Sequence, residues 1–141
     1  MNKMVVYSIE IGIETDNELQ LVDITLQVRN AVKKAGVKTG LVNVFVPGAT
    51  GAITTMEFEP RLVEDTIALL KRLIPKDAGY KHDFQDDNAH SHLRASLLSP
   101  EITIPINNRE PILGTWQQVV FIELDTRGRE RKVIITVTGE K

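Results

Sequence analysis

Apolar and polar positions follow two rhythms along this chain. Val5 to Ile11 (VVYSIEI) is β-branched and aromatic and predicts a first strand, with the polar stretch Glu14 to Asn17 as the turn after it. From Asp23 the rhythm becomes helical. Ile24, Val28, Ala31 and Val32 fall on one face of a helix reaching Ala35, with Asp23 as its N-cap and Gly36 as its left-handed terminator. Leu41 to Val46 is an apolar run fit for a buried strand that Pro47 ends, and Ala52 to Glu57 predicts the next. Pro60 occupies a first helical turn, and Leu62, Ile67, Leu70 and Ile74 recur near helical spacing until Pro75 stops them. Lys76 to Asn88 has no period. Ala89 to Leu98 fits a short helix and Ile102 to Ile106 a strand, which Pro105 places at an edge or a bulge. Asn107 to Glu110 is a turn. Val119 to Leu124 and Lys132 to Thr138 then flank Arg127-Gly128, which reads as a hairpin.

Strands outnumber helices and crowd into the C-terminal half behind short turns, the pattern of an α+β fold built on mainly antiparallel sheet with two to three helices. The 141 residues carry no repeat, linker or low-complexity tract, so residues 1–141 form a single domain. Composition then removes whole classes of function. Seventeen Lys and Arg against 19 Asp and Glu leave a net charge of −2, which offers no general attraction to nucleic acid or to an anionic membrane surface. No stretch approaches a membrane span, and the opening MNKMVVYSIEIG lacks the apolar run and cleavage site of a signal peptide, so a cytoplasmic protein is expected. Cysteine is absent, which excludes disulfides, thiolate metal sites and cysteine nucleophiles.

The candidate chemistry is therefore concentrated. All three histidines lie in His82-Asp83-Phe84-Gln85-Asp86-Asp87-Asn88-Ala89-His90-Ser91-His92, a density of imidazole and carboxylate that suits acid–base catalysis, a divalent metal, or both. His90 and His92 stand two apart. On an extended strand they would point to the same side; on a helix they point to roughly opposite sides, and only one of them could then share a site with His82. The small-residue loop Pro47-Gly48-Ala49-Thr50-Gly51-Ala52 follows a buried strand and could cradle a phosphate with its backbone N–H groups, although it lacks the ending of a Walker loop. Trp116, the only tryptophan, stands beside Gly114-Thr115, a setting that suits core or interface more than a ligand platform. Arg127, Arg129, Arg131 and Lys132 read as the solvated edge of the last hairpin, with anion binding a distant second.

Several of these segments together resemble one family. Val44-Phe45-Val46-Pro47 with Thr50, Ala52-Ile53-Thr54 with Glu57, Tyr80-Lys81-His82, Asn88-Ala89-His90-Ser91-His92-Leu93, Ala95-Ser96-Leu97-Leu98, Leu113-Gly114-Thr115-Trp116-Gln117 and the terminal Val137-Thr138-Gly139-Glu140 are collinear with the YjbQ-like family, also called the secondary thiamine-phosphate synthase family. The resemblance implies a half-barrel-like antiparallel sheet, a homotrimer, and a weak transferase activity that joins a thiazole phosphate and a pyrimidine pyrophosphate. It implies a histidine-centred site in which His82, His92 and Glu57 are the candidate catalytic residues. Gly48, Thr50, Gly51 and Trp116 would then face the phosphorylated small-molecule substrate. A divalent metal, zinc or magnesium, would fall to His82 and His92 with His90 as a weaker third ligand, or for magnesium to Asp86, Asp87 or the substrate. One position departs from the family pattern: the residue after Pro47 is typically His, and here it is Gly48. That loses one imidazole from a three-ligand set.

Overall fold

The computed structural model describes residues 3–141. Eight strands and three α-helices follow the chain as β1 (Met4–Glu14), β2 (Gln20–Asp23), α1 (Thr25–Ala35), β3 (Thr39–Phe45), β4 (Gly51–Glu57), α2 (Pro60–Leu73), α3 (Ala89–Leu98), β5 (Glu101–Asn107), β6 (Glu110–Pro111), β7 (Gln117–Glu123) and β8 (Glu130–Glu140), with a 3₁₀ turn at Lys81–Phe84. They form an α+β fold of two antiparallel sheets, one of them a half-barrel. The first sheet has the order β1-β8-β3-β5-β6 and the second β2-β7-β4.

Period-two burial explains the large sheet. Along β8, Val133, Ile135 and Val137 point inward while their neighbours are exposed or half-buried. They meet Val28, Ala31, Val32 and Ala35 of α1 and Val119 and Phe121 of β7 in one core. β7 breaks the alternation because both of its faces are covered. Its other face presents Val120 and Ile122 to Leu70 of α2 and Ala95 of α3 in a second core. The small sheet is thus a middle layer, and α2 and α3 roof it.

Most of the predicted elements stand, and local chemistry sets their ends. α1 begins at Thr25 with Ile24, not Asp23, at its N-cap; Asp23 ends β2, and from there its carboxylate accepts the Thr25 N–H at 2.9 Å and its hydroxyl at 2.6 Å. Gly36 closes α1 at φ +68°. Glu59 caps α2 by accepting the Leu62 N–H, with Pro60 in the first turn. Pro105 faces Leu41 across β3 but turns its carbonyl to the Ile112 N–H, so its missing N–H costs no rung of the β3–β5 ladder. The strand β2 has no counterpart among the sequence expectations. At four residues it is too short to show a period.

One expectation is overturned. Val119 to Leu124 and Lys132 to Thr138 do not form a hairpin: β7 pairs with β2 and β4, and β8 pairs with β1 and β3. The segment between them carries the chain from one sheet to the other. Arg131 consequently points inside, with only 4% of its side chain exposed, rather than along a solvated edge. Its Nε and Nη2 grip both oxygens of the fully buried Glu123 at 2.9 and 2.5 Å. Nη2 also donates to the Thr50 carbonyl and hydroxyl, and Thr15 donates its hydroxyl to Glu123 at 2.7 Å. Thr15 lies in the β1–β2 crossover, Thr50 in the β3–β4 crossover, and the pair itself brackets the β7–β8 crossover.

Removing one partner of such a pair strands a buried charge. Arg131→Met is expected to lower unfolding free energy by about 3–5 kcal/mol, and the double variant Glu123→Leu/Arg131→Met by clearly less. Urea denaturation of the three proteins measures both, and equal losses in the single and double variants would contradict the account.

Candidate functional site

The cleft of interest forms where the irregular segment turns into α3. The 3₁₀ turn is closed by the Gln85 N–H on the His82 carbonyl at 3.0 Å, and the Asp83 carboxylate accepts the N–H of Ala89, the first residue of α3, at 3.0 Å. Turn and helix are therefore held as one unit. The Tyr80 hydroxyl donates to the Pro75 carbonyl at 2.8 Å and anchors the entry to the turn. His82 and His92 meet edge to face, ring centroids 5.1 Å apart at 72°. With Tyr80, Lys81, Ala89 and Leu93 they line a mostly apolar cleft of about 360 Å³.

Asn88, just before α3, orients the exposed His82: its Oδ1 lies 2.9 Å from His82 Nε2. An amide oxygen only accepts, so Nε2 is the donor in this contact. Sequence reasoning missed this role for Asn88. The signal available was its place six residues after His82 at the mouth of a helix.

His90 is elsewhere. Two residues on a helix span about 200°, which turns His90 to the buried face of α3 when His92 faces the cleft. Its Nε2 lies 2.5 Å from Glu18 Oε1 in the β1–β2 crossover, and Arg94, one turn on, approaches the same carboxylate at 3.6 Å. Arg94 Nε also donates to the carbonyl of Ile74 at the end of α2. Burial lowers the Arg94 pKa, with the Glu18 charge opposing the shift. These contacts tether α3, and so His92, to two other parts of the chain. Glu18 carried no sequence signal, because 72 residues separate it from His90.

The remaining candidates fall at three places. Glu57 ends β4 opposite Gln117 and is exposed, with no hydrogen bond or ion pair to either cleft histidine among the described residues. Trp116 is 72% exposed in the turn before β7. Gly48 and Gly51, with Ala49, border a recess of about 180 Å³ whose far wall is Ala95, Ser96 and Pro100. Ser96 is four residues from His92, so recess and histidine cleft share one face of α3 about one turn apart. The Thr50 hydroxyl lies 2.9 Å from Arg131 Nη2 and 3.3 Å from Asp125 Oδ2. Burial alone would raise the Asp125 carboxyl. Hydrogen bonds from the Thr126 N–H, Arg129 and Thr50 outweigh it and bring the pKa below the ordinary aspartate value.

Zinc finds no ready three-residue ligand set. Among the described residues no three His, Asp or Glu side chains converge. His82 and His92 are a pair, His90 is held by Glu18, and the Asp83 and Asp86 carboxylates accept the N–H groups of Ala89 and Asp87. A three-ligand zinc centre does not fit these side chains within one chain.

The two neighbouring histidines of α3 should respond differently to truncation. His90→Ala strands a buried contact and is expected to cost about 2–3 kcal/mol, whereas His92→Ala at the cleft should cost under about 1 kcal/mol. Urea unfolding of the two variants would reverse these assignments if the order were inverted.

Comparisons with known proteins agree with this architecture. Residues 9–140 match the family described as UPF0047 protein YjbQ-like. A UPF0047 protein of Methanothermobacter thermautotrophicus is 40% identical over 137 residues, covering 97% of this chain and 95% of its own. The YjbQ protein of Salmonella typhimurium is 30% identical over 106 residues, 74% of this chain and 77% of its own. Among solved structures, a YbjQ-like protein of unknown function from Sulfolobus solfataricus superposes with a TM-score of 0.95 at 38% identity, covering 98% of this chain and 100% of that one. A hypothetical protein from Aeropyrum pernix gives 0.90 at 34%, covering 95% and 99%. The family match over residues 9–140 and these identities show that the chain belongs to the UPF0047, YjbQ-like family.

Proposed function

We propose that this protein is a transferase for a phosphorylated small molecule, with His82 and His92 as its proton-transfer pair. The observation that carries the reading is the edge-to-face pair itself: two imidazoles in one apolar cleft, one of them oriented by Asn88. Resemblance to the secondary thiamine-phosphate synthase family suggests the reaction. The thiazole nitrogen attacks the pyrimidine methylene carbon, a C–N bond forms, and the C–O bond to pyrophosphate breaks. The leaving group gains negative charge as it departs, so a protonated imidazole beside it lowers the barrier. Lys81 on the rim adds a positive charge suited to a phosphorylated substrate. The loop at Gly48, Thr50 and Gly51, one turn along α3, is within reach of the phosphate end of the same ligand.

Thiamine phosphate formation from the two phosphorylated precursors tests the reading directly. His92→Ala and His82→Ala are each expected to lower kcat/KM by roughly 10²–10⁴-fold. Rates equal to the unaltered protein would remove the histidines from the mechanism. A second reading, a metal- or anion-binding module with degraded or no catalysis, rests on Gly48 standing where the family pattern has His; with His90 held by Glu18, its anion-binding form is the one these residues support. It would stand if the unaltered protein bound the precursors without converting them.

We also propose a homotrimer. Val6, Thr138, Leu41 and Pro105 make a row across four strands on the outer face of the large sheet, and Val6 is 76% exposed. A row of this kind, with exposed Met4 and Phe45 on the same strands, suits self-association. Light scattering is expected to give three times the 15.8 kDa of one chain, and a monomer mass would overturn the assembly.

A further inference from the structure

The Arg131 guanidinium is only partly used. Nε and Nη2 serve Glu123 and Thr50, but the two N–H groups of Nη1 donate to no described residue. Nη1 lies under the β3–β4 crossover at Gly48. A Cβ built there would stand 3.5 Å from it, while Gly48 itself has φ +110°, a conformation that disfavours any side chain. The arginine does not swing free to fill the gap, because Glu123 holds its other edge and its Cζ sits 5.9 Å from the centre of the Phe121 ring.

The loop above supplies matching groups. The N–H groups of Gly48, Ala49 and Thr50 are consecutive, lie outside the strands, and donate to no described residue. Three successive free amides, the first at the residue next to a fixed guanidinium edge, offer an anion partial positive charge. Arg129 adds a second guanidinium at the rim: its Nη1 is 2.9 Å from Asp125 and 3.5 Å from the Thr50 hydroxyl. Before any ligand arrives, Glu123 and Asp125 balance the two arginines, so what the loop offers an anion is unspent directional donors rather than surplus charge.

We propose that Arg131 Nη1 and the Gly48–Thr50 amides form a binding site for a phosphoryl group, one oxygen on the guanidinium and the others on the loop. This deepens the phosphorylated-substrate reading given above, by naming the cation that reads the phosphate. It also gives a physical reason for glycine at position 48: a side chain there would stand between the phosphoryl oxygens and Nη1.

Inorganic phosphate is the probe, titrated at neutral pH into the ¹⁵N-labelled protein while amide and arginine side-chain resonances are followed. Saturable shifts are expected at the Gly48, Ala49 and Thr50 amides and at the Arg131 side chain, with no such response to chloride at matched ionic strength. Absence of saturation, or shifts centred on Lys81, His82 and His92, would overturn the assignment. The Glu123→Leu/Arg131→Met variant removes both buried charges together and is expected to weaken phosphate binding by roughly tenfold or more. Undiminished binding in that variant would also overturn it. Should the variant not fold, the Arg131 resonance of the unaltered protein decides the matter alone, since a guanidinium untouched by phosphate excludes the site. Turnover plays no part in the measurement. A failure here leaves the histidine cleft standing, and a failure of the transferase assay leaves this site standing.

Discussion

The whole arrangement hangs on one buried ion pair, Glu123 with Arg131. A two-sheet fold must send its chain from sheet to sheet, and each crossover brings backbone polar groups into a region without strand partners. Here three crossovers converge on the pair. Thr15 donates to Glu123, the Thr50 carbonyl and hydroxyl accept from Arg131, and the Asp125 N–H returns to Glu123 at 3.1 Å. The Coulombic gain of a buried pair is largely offset by desolvation, so its main contribution is not net stability. It satisfies groups that would otherwise be orphaned, and it admits one arrangement of three loops rather than several. The bidentate geometry matters for this. A lysine at position 131 would present a compact point charge without the planar fork that matches both carboxylate oxygens and still reaches the Thr50 carbonyl.

From that junction the constraint passes to α3. Glu18, three residues beyond Thr15, holds His90. Gly48 and Ala49, just before Thr50, border the same recess as Ala95 and Ser96. Arg94 ties the helix to the end of α2. The helix that carries His92 is thus set on two crossovers whose shape the ion pair decides. The other half of the cleft, the 3₁₀ turn with His82, hangs on the start of α3 through Asp83 and Asn88. Both imidazoles consequently take their position from α3. The spacing of two between His90 and His92 has a purpose in this frame. One imidazole anchors the helix from below, and the other lines the cleft above it.

How much of this could be read beforehand depended on how far apart the partners lie in sequence. The helices were legible because their signals are local: Asp23 near the start of α1, Gly36 after it, Pro60 in the first turn of α2. The split of the last two strands was not. A turn-rich Asp125-Thr126-Arg127-Gly128 between apolar runs satisfies the local rules for a hairpin. What overrides them is a strand, β7, that is buried on both faces and so belongs in the middle of another sheet. The arginines after it then looked solvated for the same reason. At the cleft, confinement of every histidine to one segment pointed to a region where two of them do meet, and helical spacing accounts for the third being turned away. Asn88 and Glu18 escaped because neither stands out by type, and Glu57 drew notice by resemblance without touching either ring.

Histidine is scarce in this chain, and the structure shows how it is divided. With one imidazole spent on Glu18 and none at position 48, the cleft retains two, enough for proton transfer and too few for a zinc centre held by this chain alone. The glycine that stands in place of an imidazole is not an empty position, however. It leaves the inner edge of Arg131 uncovered beneath three free amides. An imidazole at 48 would add a ligand and cover a cation, so the two uses of the loop exclude each other. On the proposal that the open arginine reads a phosphoryl group there, the acid–base chemistry proposed for this chain falls to the pair that Asn88 and α3 hold in place.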